Sequence, residues 1–300
     1  MREDETARCT LSSCGIKRIA LACMIVDHTG AALFPQAAAM RCVGRLAFPL
    51  YTFLTAEACR HTHSREKHLA LLGLFALLSE IPYDLAFWER VSFLDLTNVF
   101  YTLFFSSACI YIAEKLKGQS GRTVILTVLT AVACCAGEGL LLLFGPEAYW
   151  PTLTLLFIYL LGMLATFAFL LKERWDIPNR PSITDKTAAL AAAAPVLLLA
   201  GFIKCDYGSF GVLLPLLLYL AERSRSRIII LAGALAVYYG KDIFAYGVFD
   251  PMSLAFLIFA IASVPILLLY NGQRGNGGKM FYYWAYPMHI SVIAALIHLT

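Results

Sequence analysis

An Asp-His pair inside an apolar stretch is the part of this sequence best suited to chemistry. Asp27 and His28 follow the apolar run IALACMIV. Ionisable side chains are costly in the hydrocarbon core of a membrane, and those retained there face protein or water and serve a function. Imidazole exchanges protons near neutral pH, so His28 is a candidate general base or covalent nucleophile. The structural alternative is a histidine that only packs against a neighbouring helix.

Asp27 and the nearby Arg45 form the second part of this candidate site. Neighbouring residues of a helix point about 100° apart, so Asp27 is poorly placed to hold the ring of His28. We expect its carboxylate to pair with Arg45 or Lys204 from another helix, either within the site or as part of the fold. Arg45 opens the next apolar stretch. There its planar guanidinium would bind an anionic group or act as an interfacial anchor.

The elements that must position these residues are membrane-spanning helices. Hydrophobic residues make up 60% of the 300 residues and charged residues 15%, whereas about a quarter of the residues of a soluble protein are charged. A helix needs roughly 17–25 mostly apolar residues to cross a bilayer. The sequence therefore predicts an all-α polytopic membrane protein, a single domain with 10–11 transmembrane helices. The candidate spans are 16–35, 43–61, 67–88, 98–116, 122–144, 151–171, 187–203, 206–222, 227–244, 252–270 and 280–299.

Two of these spans are expected to be short or interrupted. Pro215 lies within 206–222, and Gly233 and Gly240 lie within 227–244. Interrupted helices are tolerated in membranes where they line a cavity.

The basic residues divide unevenly between alternate loops. On the assumption of eleven spans, 19 of the 24 Lys and Arg residues fall on one side of the membrane. Cytoplasmic loops carry such an excess of positive charge. This distribution places the short segment 1–15 in the cytoplasm and the C-terminus outside. We read no cleavable signal peptide in that segment, and the cytoplasmic membrane is the expected location.

The intramembrane polar residues then converge on the outer half of the membrane. Asp84 and Asn98 flank one external loop and are candidates to orient His28 or to bind a substrate. Alternatively, Pro82 ends one helix and Asn98 caps the next. The other members of the outer group are Asp27, Arg45, Glu80, Thr102, Glu138, Asp206, Tyr207, Lys241 and Asp242.

Two further candidates lie late in the chain. Asp206 and Tyr207 would begin span 206–222 and supply substrate-binding groups, with Gly208 and Gly211 allowing close helix approach. His289 lies in the middle of the last span, as a second base or a hydrogen-bonded packing residue.

The nine cysteines do not predict a metal site or a disulfide framework. No CxxC and no Cys/His spacing typical of a metal site occurs. Several cysteines lie inside apolar runs, where a small side chain suits helix packing. We therefore expect no metal.

Six ordered sequence blocks resemble the TraX family, membrane proteins associated with acetylation of the conjugative pilus subunit. They cover about residues 15–115 and 203–292. That family is in turn similar to a broader group of transmembrane acyltransferases. The blocks are IKRIALACMIVDHTG, VGRLAFPLYTFLTAE, LLSEIPYDLAF, NVFYTLF, CDYGSFGVLLPLLLYL, and YNGQRG with KMFYYWAYPMHI.

The resemblance implies an acetyltransferase that uses acetyl-CoA from the cytosol. The implied acceptor lies outside: the N-terminal amine of a pilin, or a cell-surface glycan. His28 would be the reacting base, and Arg45 would bind a thioester oxygen or an anionic acceptor. In many O-acetylating relatives a basic residue, often Arg, precedes this histidine by eleven positions, and here that residue is Lys17. Lys17 and Arg18 would bind the CoA phosphates, unless Lys17 is only an interfacial lysine.

Two other function classes remain open from the sequence. Buried Asp, His and Arg with interrupted helices also suit a proton-coupled secondary transporter. A non-catalytic assembly factor for a surface apparatus would need the hydrophobic helices but not the ionisable groups. Nothing in the sequence predicts a nucleic-acid partner, since the basic residues are explained by topology.

Overall fold

The computed structural model describes residues 10–88, 97–117, 183–221, 223–246 and 251–299, and these ranges are predominantly helical. In chain order the described helices are α1 (Ser13–Leu33), α2 (Ala38–Gly44), α3 (Ala47–His61), α4 (Arg65–Phe87), α5 (Val99–Leu116), α6 (Ile183–Phe202), α7 (Gly208–Leu220), α8 (Ser224–Tyr246), α9 (Pro251–Ile261), α10 (Ser263–Leu268) and α11 (Lys279–Leu299). The predicted all-α class is confirmed. Predicted spans 122–144 and 151–171, with Glu138, lie outside the described residues, as do the side chains of Lys241 and Asp242.

Four stretches of the described chain are long and apolar enough to cross a membrane. They are Arg65–Phe87, Val99–Leu116, Lys279–Leu299 and Pro251–Leu268, the last of which combines α9 and α10. The first three stretches each form one continuous helix at a predicted span. These helices support a membrane protein.

The second predicted span, 43–61, is wrong as a single helix. The chain forms the short helix α2 and then α3, with Arg45 and Leu46 between them. Arg45 therefore does not open a long helix. It ends α2, where its backbone N–H donates to the carbonyls of Cys42 and Val43.

The helix interruptions do not lie at the glycines where the sequence predicted them. Helix α8 passes through Gly233 and Gly240 without a break, so the prediction for span 227–244 is wrong. The break lies at Ala262, between α9 and α10, and Pro265 in the first turn of α10 has no N–H for the preceding turn. Pro82 does not end a helix either, since α4 continues to Phe87.

The chain forms two compact units. The first comprises Met1–Ala58, Leu74–Ser92 and Ala221–Thr300. In this unit α1 packs against α2 and α11, and α8 packs against α9. The unit therefore joins the beginning and the end of the chain, which are far apart in sequence.

The second unit comprises Cys59–Gly73 and Phe93–Leu220. Its described helices α5, α6 and α7 pack against one another. Small side chains let helices approach closely in membranes, and α6 supplies several of them. The core of this unit includes Cys109, Ile110, Ala189, Ala193, Ala200, Val212 and Leu216.

Candidate functional site

The first unit brings together two histidines from opposite ends of the chain. His28 lies in α1 and His289 in α11, 261 positions apart. Nδ1 of His28 lies 2.8 Å from Nε2 of His289, and the two ring planes are inclined by only 4°. This distance and near-coplanarity describe a hydrogen bond between two imidazoles. Both histidines were candidates from the sequence, but their pairing was not foreseen.

The second ring nitrogen of His289 is also engaged. Its Nδ1 lies 2.8 Å from the carbonyl oxygen of Ala285, one turn earlier in α11. Since a carbonyl oxygen only accepts, Nδ1 of His289 is the donor in this contact. His289 is thus hydrogen-bonded at both ring nitrogens, as one sequence alternative proposed, and its partner is the reactive candidate itself.

Aromatic rings flank His28 on two sides. The rings of Phe87 from α4 and Tyr286 from α11 each have centroids 5.7 Å from that of His28, in edge-to-face arrangements. Tyr286 also meets the ring of His289 edge to face, at 5.3 Å. Such contacts restrict the orientation of the imidazole at little polar cost. Neither aromatic residue was predicted from the sequence to be part of the site.

Asp27, the neighbour of His28, binds two arginines. Both carboxylate oxygens lie 3.0 Å from Nη2 of Arg45, and Oδ1 lies 2.7 Å from Nη1 of Arg41. The same Arg41 nitrogen donates to the backbone carbonyl of Asp27 at 3.2 Å. The predicted pairing with Arg45 is confirmed. Arg41 was missed as a site residue, although its spacing of four from Arg45 places both near one helical turn.

Gly44 makes this ion pair sterically feasible. A Cβ at Gly44 would overlap the carboxylate of Asp27. Because glycine has no side chain, α2 approaches α1 closely enough for the arginines of α2 to reach Asp27. The sequence RCVGR therefore places two arginines, and a glycine with no side chain, against Asp27, the residue that precedes His28.

Arg45 is held from several directions. Its Nε donates to the carbonyl of Arg41 at 3.1 Å, and its guanidinium carbon lies 4.9 Å from the ring centroid of Phe256. Only 12% of its side chain is exposed, against 32% for Arg41. These contacts favour a structural role for Arg45 and leave Arg41 as the more accessible guanidinium.

Lys17 and Arg18, the predicted phosphate-binding residues, lie together near the start of α1. The Lys17 ammonium is 5.4 Å from the ring centroid of Tyr282, and Arg18 donates to the carbonyl of Asn276 at 3.1 Å. Lys17 and His28 belong to one continuous helix. Eleven residues of helix separate them by roughly 16 Å along the axis.

A glycine-containing loop, residues 271–278, packs against the start of α1. Its carbonyls at Gln273 and Arg274 accept from the backbone N–H groups of Ser13 and Cys14 at 2.8 and 3.0 Å. Gly275 has φ +72°, and a Cβ there would overlap Ser12. The loop carbonyls thus accept from two of the backbone N–H groups at the start of α1. The positive charge near this end of the helix comes from the side chains of Lys17 and Arg18.

Asp84 is fully buried in α4. It lies three residues before Phe87, which contacts His28, so the two share one face of the helix. This placement keeps Asp84 in the same unit as the histidine pair. His28 is hydrogen-bonded to His289, whereas Asp84 and Asn98 were the residues predicted to orient it.

Asn98 lies in the second unit and caps a helix. Its Oδ1 accepts from the backbone N–H of Phe100 at 3.0 Å, and its backbone is extended, as expected of an N-cap. The capping alternative is therefore confirmed.

Asp206 and Tyr207 also lie in the second unit, in the turn before α7 rather than in the helix. The Asp206 carbonyl accepts from Thr102 Oγ1 at 2.7 Å, and Tyr207 has a φ of +61°. A non-glycine residue in this left-handed region is uncommon and marks a tight turn.

The two glycines in the first turn of α7, Gly208 and Gly211, serve different purposes. Gly211 permits a close approach, because a Cβ there would lie 2.8 Å from the Thr102 methyl carbon. Gly208 has nothing within 4 Å and a φ of +54°, so its expected role in helix approach is wrong. It is suited to its backbone conformation instead.

Within the described part of the chain, no group of three or more His, Cys, Asp or Glu side chains is arranged to hold a metal ion. Six cysteines there have free thiols: Cys14, Cys23, Cys42, Cys59, Cys109 and Cys205.

Comparison with known protein families matches residues 12–145 and 148–297 to the family described as TraX protein. No curated protein and no solved structure matches the chain.

Proposed function

The chain belongs to the TraX family, and we propose that it is a membrane-embedded acetyltransferase that uses cytosolic acetyl-CoA. Its acceptor would be the N-terminal amine of a pilin on the outer side of the cytoplasmic membrane, with a glycan hydroxyl as the next choice. This proposal includes eleven spans, a cytoplasmic N-terminus and an external C-terminus. The two matched segments together cover nearly the whole chain.

The observation that carries this proposal is the environment of His28. The residue lies in α1 among apolar residues, and its Nδ1 is hydrogen-bonded to His289. The opposite ring nitrogen, Nε2, has no hydrogen-bond partner among the described residues. An imidazole held through one nitrogen and open at the other is the arrangement that general base catalysis requires.

In the proposed reaction, Nε2 of His28 removes a proton from the neutral acceptor amine as its nitrogen attacks the thioester carbonyl. The new C–N bond forms and the C–S bond breaks. The resulting imidazolium returns the proton to the CoA sulfur, so that free CoA and an acetylated amine leave. A covalent acetyl-histidine that forms first on Nε2 would satisfy the same balance in two steps.

Lys17 and Arg18 are proposed to bind the phosphates of CoA at the cytoplasmic end of α1. Lysine binds phosphate as a point charge and arginine through a planar fork. Since His28 lies roughly 16 Å further along the same helix, the acyl end of the donor would reach the base through the protein. The neighbouring basic residues Arg274 and Lys279 add positive charge near Lys17.

Asp27 and Arg45 are proposed to position His28 rather than to contact the reacting atoms. Their ion pair, in which both Asp27 oxygens contact Nη2 of Arg45, connects α1 to the end of α2 directly beside the base. Asp84 remains a proposed acceptor-binding residue because it shares a helix face with Phe87. Asn98, Asp206 and Tyr207, which lie in the second unit, remain sequence predictions of acceptor binding.

The test is transfer by the purified protein in liposomes. Acetyl-CoA labelled in its acetyl group is supplied on one side and a peptide with a free N-terminus on the other. We expect labelled peptide with the unaltered protein, and a rate reduced by at least ~10² when His28→Ala removes the general base. His298→Ala, a change at an exposed histidine of α11, is the control and should leave the rate unchanged. Full activity of folded His28→Ala protein would overturn the proposal.

The same liposomes distinguish a transporter. The ionisable side chains of His28, Asp27 and Arg45 within apolar helices also suit a proton-coupled transporter. If an intact solute crosses the bilayer with protons while no acetyl group reaches an acceptor, transport replaces acetylation. An assembly factor would show neither activity and would tolerate apolar replacement of its buried charges.

A further inference from the structure

The inference concerns His289 and rests on the proposed function. We propose that His289 is a positioning residue that holds His28 in the tautomer with its proton on Nδ1. The basic lone pair of His28 is then on Nε2, where the acceptor would meet it. His289 itself would not exchange a proton with the substrate.

The carbonyl of Ala285 fixes the protonation of His289. This oxygen lies 2.8 Å from Nδ1 of His289, and because it can only accept, Nδ1 of His289 carries a hydrogen. A neutral imidazole has one donor and one acceptor nitrogen. In the neutral pair, Nε2 of His289 is therefore an acceptor.

The contact between the two rings then determines the protonation of His28. Nε2 of His289 lies 2.8 Å from Nδ1 of His28, so the hydrogen of that contact belongs to His28. Nδ1 of His28 is then the donor, and its Nε2 is left unprotonated. The backbone of α11 thus determines, through one intervening ring, which nitrogen of His28 is the base.

The geometry of the pair supports orientation as well as tautomer choice. The ring planes are parallel to within 4° and their centroids lie 5.1 Å apart, so the 2.8 Å contact joins two rings of defined relative orientation. Tyr286 meets both rings edge to face. A buried orienting group of this kind serves catalytic histidines by holding the ring and by stabilising the cation that forms.

This arrangement favours a positioning role for His289 over the alternative in which it is a second base. Both of its ring nitrogens are already engaged, one by Ala285 and one by His28. For His289 to accept a proton from a substrate, one of these contacts would have to break.

The test compares two replacements in the transfer assay. His289→Leu removes the acceptor while filling similar space, and we expect kcat to fall by about 10²–10⁴, the range for loss of correctly oriented acid–base catalysis. His289→Gln carries an amide oxygen that can accept from Nδ1 of His28, and its kcat should lie within about tenfold of the unaltered protein. His298→Leu, the same change at the exposed histidine of α11, is the matched control and should have no effect.

A spectroscopic measurement separates tautomer control from general damage. The ¹⁵N resonances of labelled histidine in lipid bilayers distinguish a protonated from an unprotonated ring nitrogen, and His28→Ala identifies the signals of His28. We expect a protonated Nδ1 in the unaltered protein and in His289→Gln, and a mixture of tautomers in His289→Leu.

Failure of the positioning role of His289 can be told apart from failure of the proposed acetyltransferase function. If His28→Ala is inactive and His289→Leu keeps its kcat, the positioning role is wrong and the acetyltransferase remains. An Nε2-protonated His28 in the unaltered protein would also overturn the positioning role. If His28→Ala is as active as the unaltered protein, the proposed function itself fails.

Discussion

The carboxylate of Asp27 binds the guanidinium of Arg45 through both of its oxygens, each 3.0 Å from Nη2. This pair fixes the residue before His28 to the end of α2. Arg41 adds a second cation to the same carboxylate, so the group carries a net positive charge beside the candidate base. In a largely apolar setting, removal of one partner of such a pair leaves an uncompensated charge and is costly.

Gly44→Ala tests the packing that allows this ion pair. A methyl group there would overlap the Asp27 carboxylate, so either the pair opens or α2 moves away from α1. We expect the free energy of unfolding to fall by about 2 kcal/mol, measured as a lower midpoint of thermal unfolding in detergent.

Gly233→Ala is the control for that variant. Gly233 lies within α8 and has open space around the site of an added Cβ, so the change should be neutral or stabilise the helix by about 0.5–1 kcal/mol. Equal unfolding midpoints for the two variants would contradict the close approach of Gly44 to Asp27.

Lys17→Met tests the proposed binding of acetyl-CoA. Loss of the ammonium removes a phosphate contact but leaves the long apolar stem. We expect the KM for acetyl-CoA to rise about tenfold, equivalent to about 1.4 kcal/mol, with little change in kcat. Lys17→Arg should keep a KM near that of the unaltered protein, because the charge remains over Tyr282.

Lys67→Met provides the comparison, since Lys67 is an exposed lysine near the start of α4. If it raises the KM as much as Lys17→Met, the effect is one of general surface charge. An unchanged KM in Lys17→Met would identify Lys17 as an interfacial residue only.

Asn98→Ala tests whether the cap is the main contribution of Asn98. The side chain accepts from Phe100 N–H at the start of α5, and loss of an N-cap costs about 1 kcal/mol. We expect a lower unfolding midpoint that Asn98→Ser, which retains a capping oxygen, largely restores. If kcat or the acceptor KM changes in both variants while the midpoint stays constant, Asn98 contacts the acceptor instead.

The residue types and their periodicity were enough to predict several residues of the candidate site. A hydrophobic stretch that contains Asp27 and His28 indicates a functional membrane helix, because such residues are rarely retained there otherwise. The sequence also predicted Arg45 as one of two possible partners for Asp27, and Asn98 as a possible cap of the helix that follows it. Gly44, by contrast, has no distinguishing sequence signal, since its importance depends on a carboxylate from another helix.

Local sequence was less informative about helix breaks. Gly233 and Gly240 suggested an interruption, yet α8 is continuous, and Pro82 lies within α4. A glycine or proline only lowers the preference for helix at its own position, and neighbouring helices decide whether the helix continues.

The sequence by itself determined that this protein is helical and apolar, and it predicted His28, in the first hydrophobic helix, as the residue to carry any chemistry. Only the tertiary structure decided that His289 is the partner of that histidine and that Arg41 joins Arg45 on Asp27. Helical periodicity specifies which residues share a face, but it does not specify which face of another helix will meet them. For residues 261 positions apart, that choice is made when α1 packs against α11.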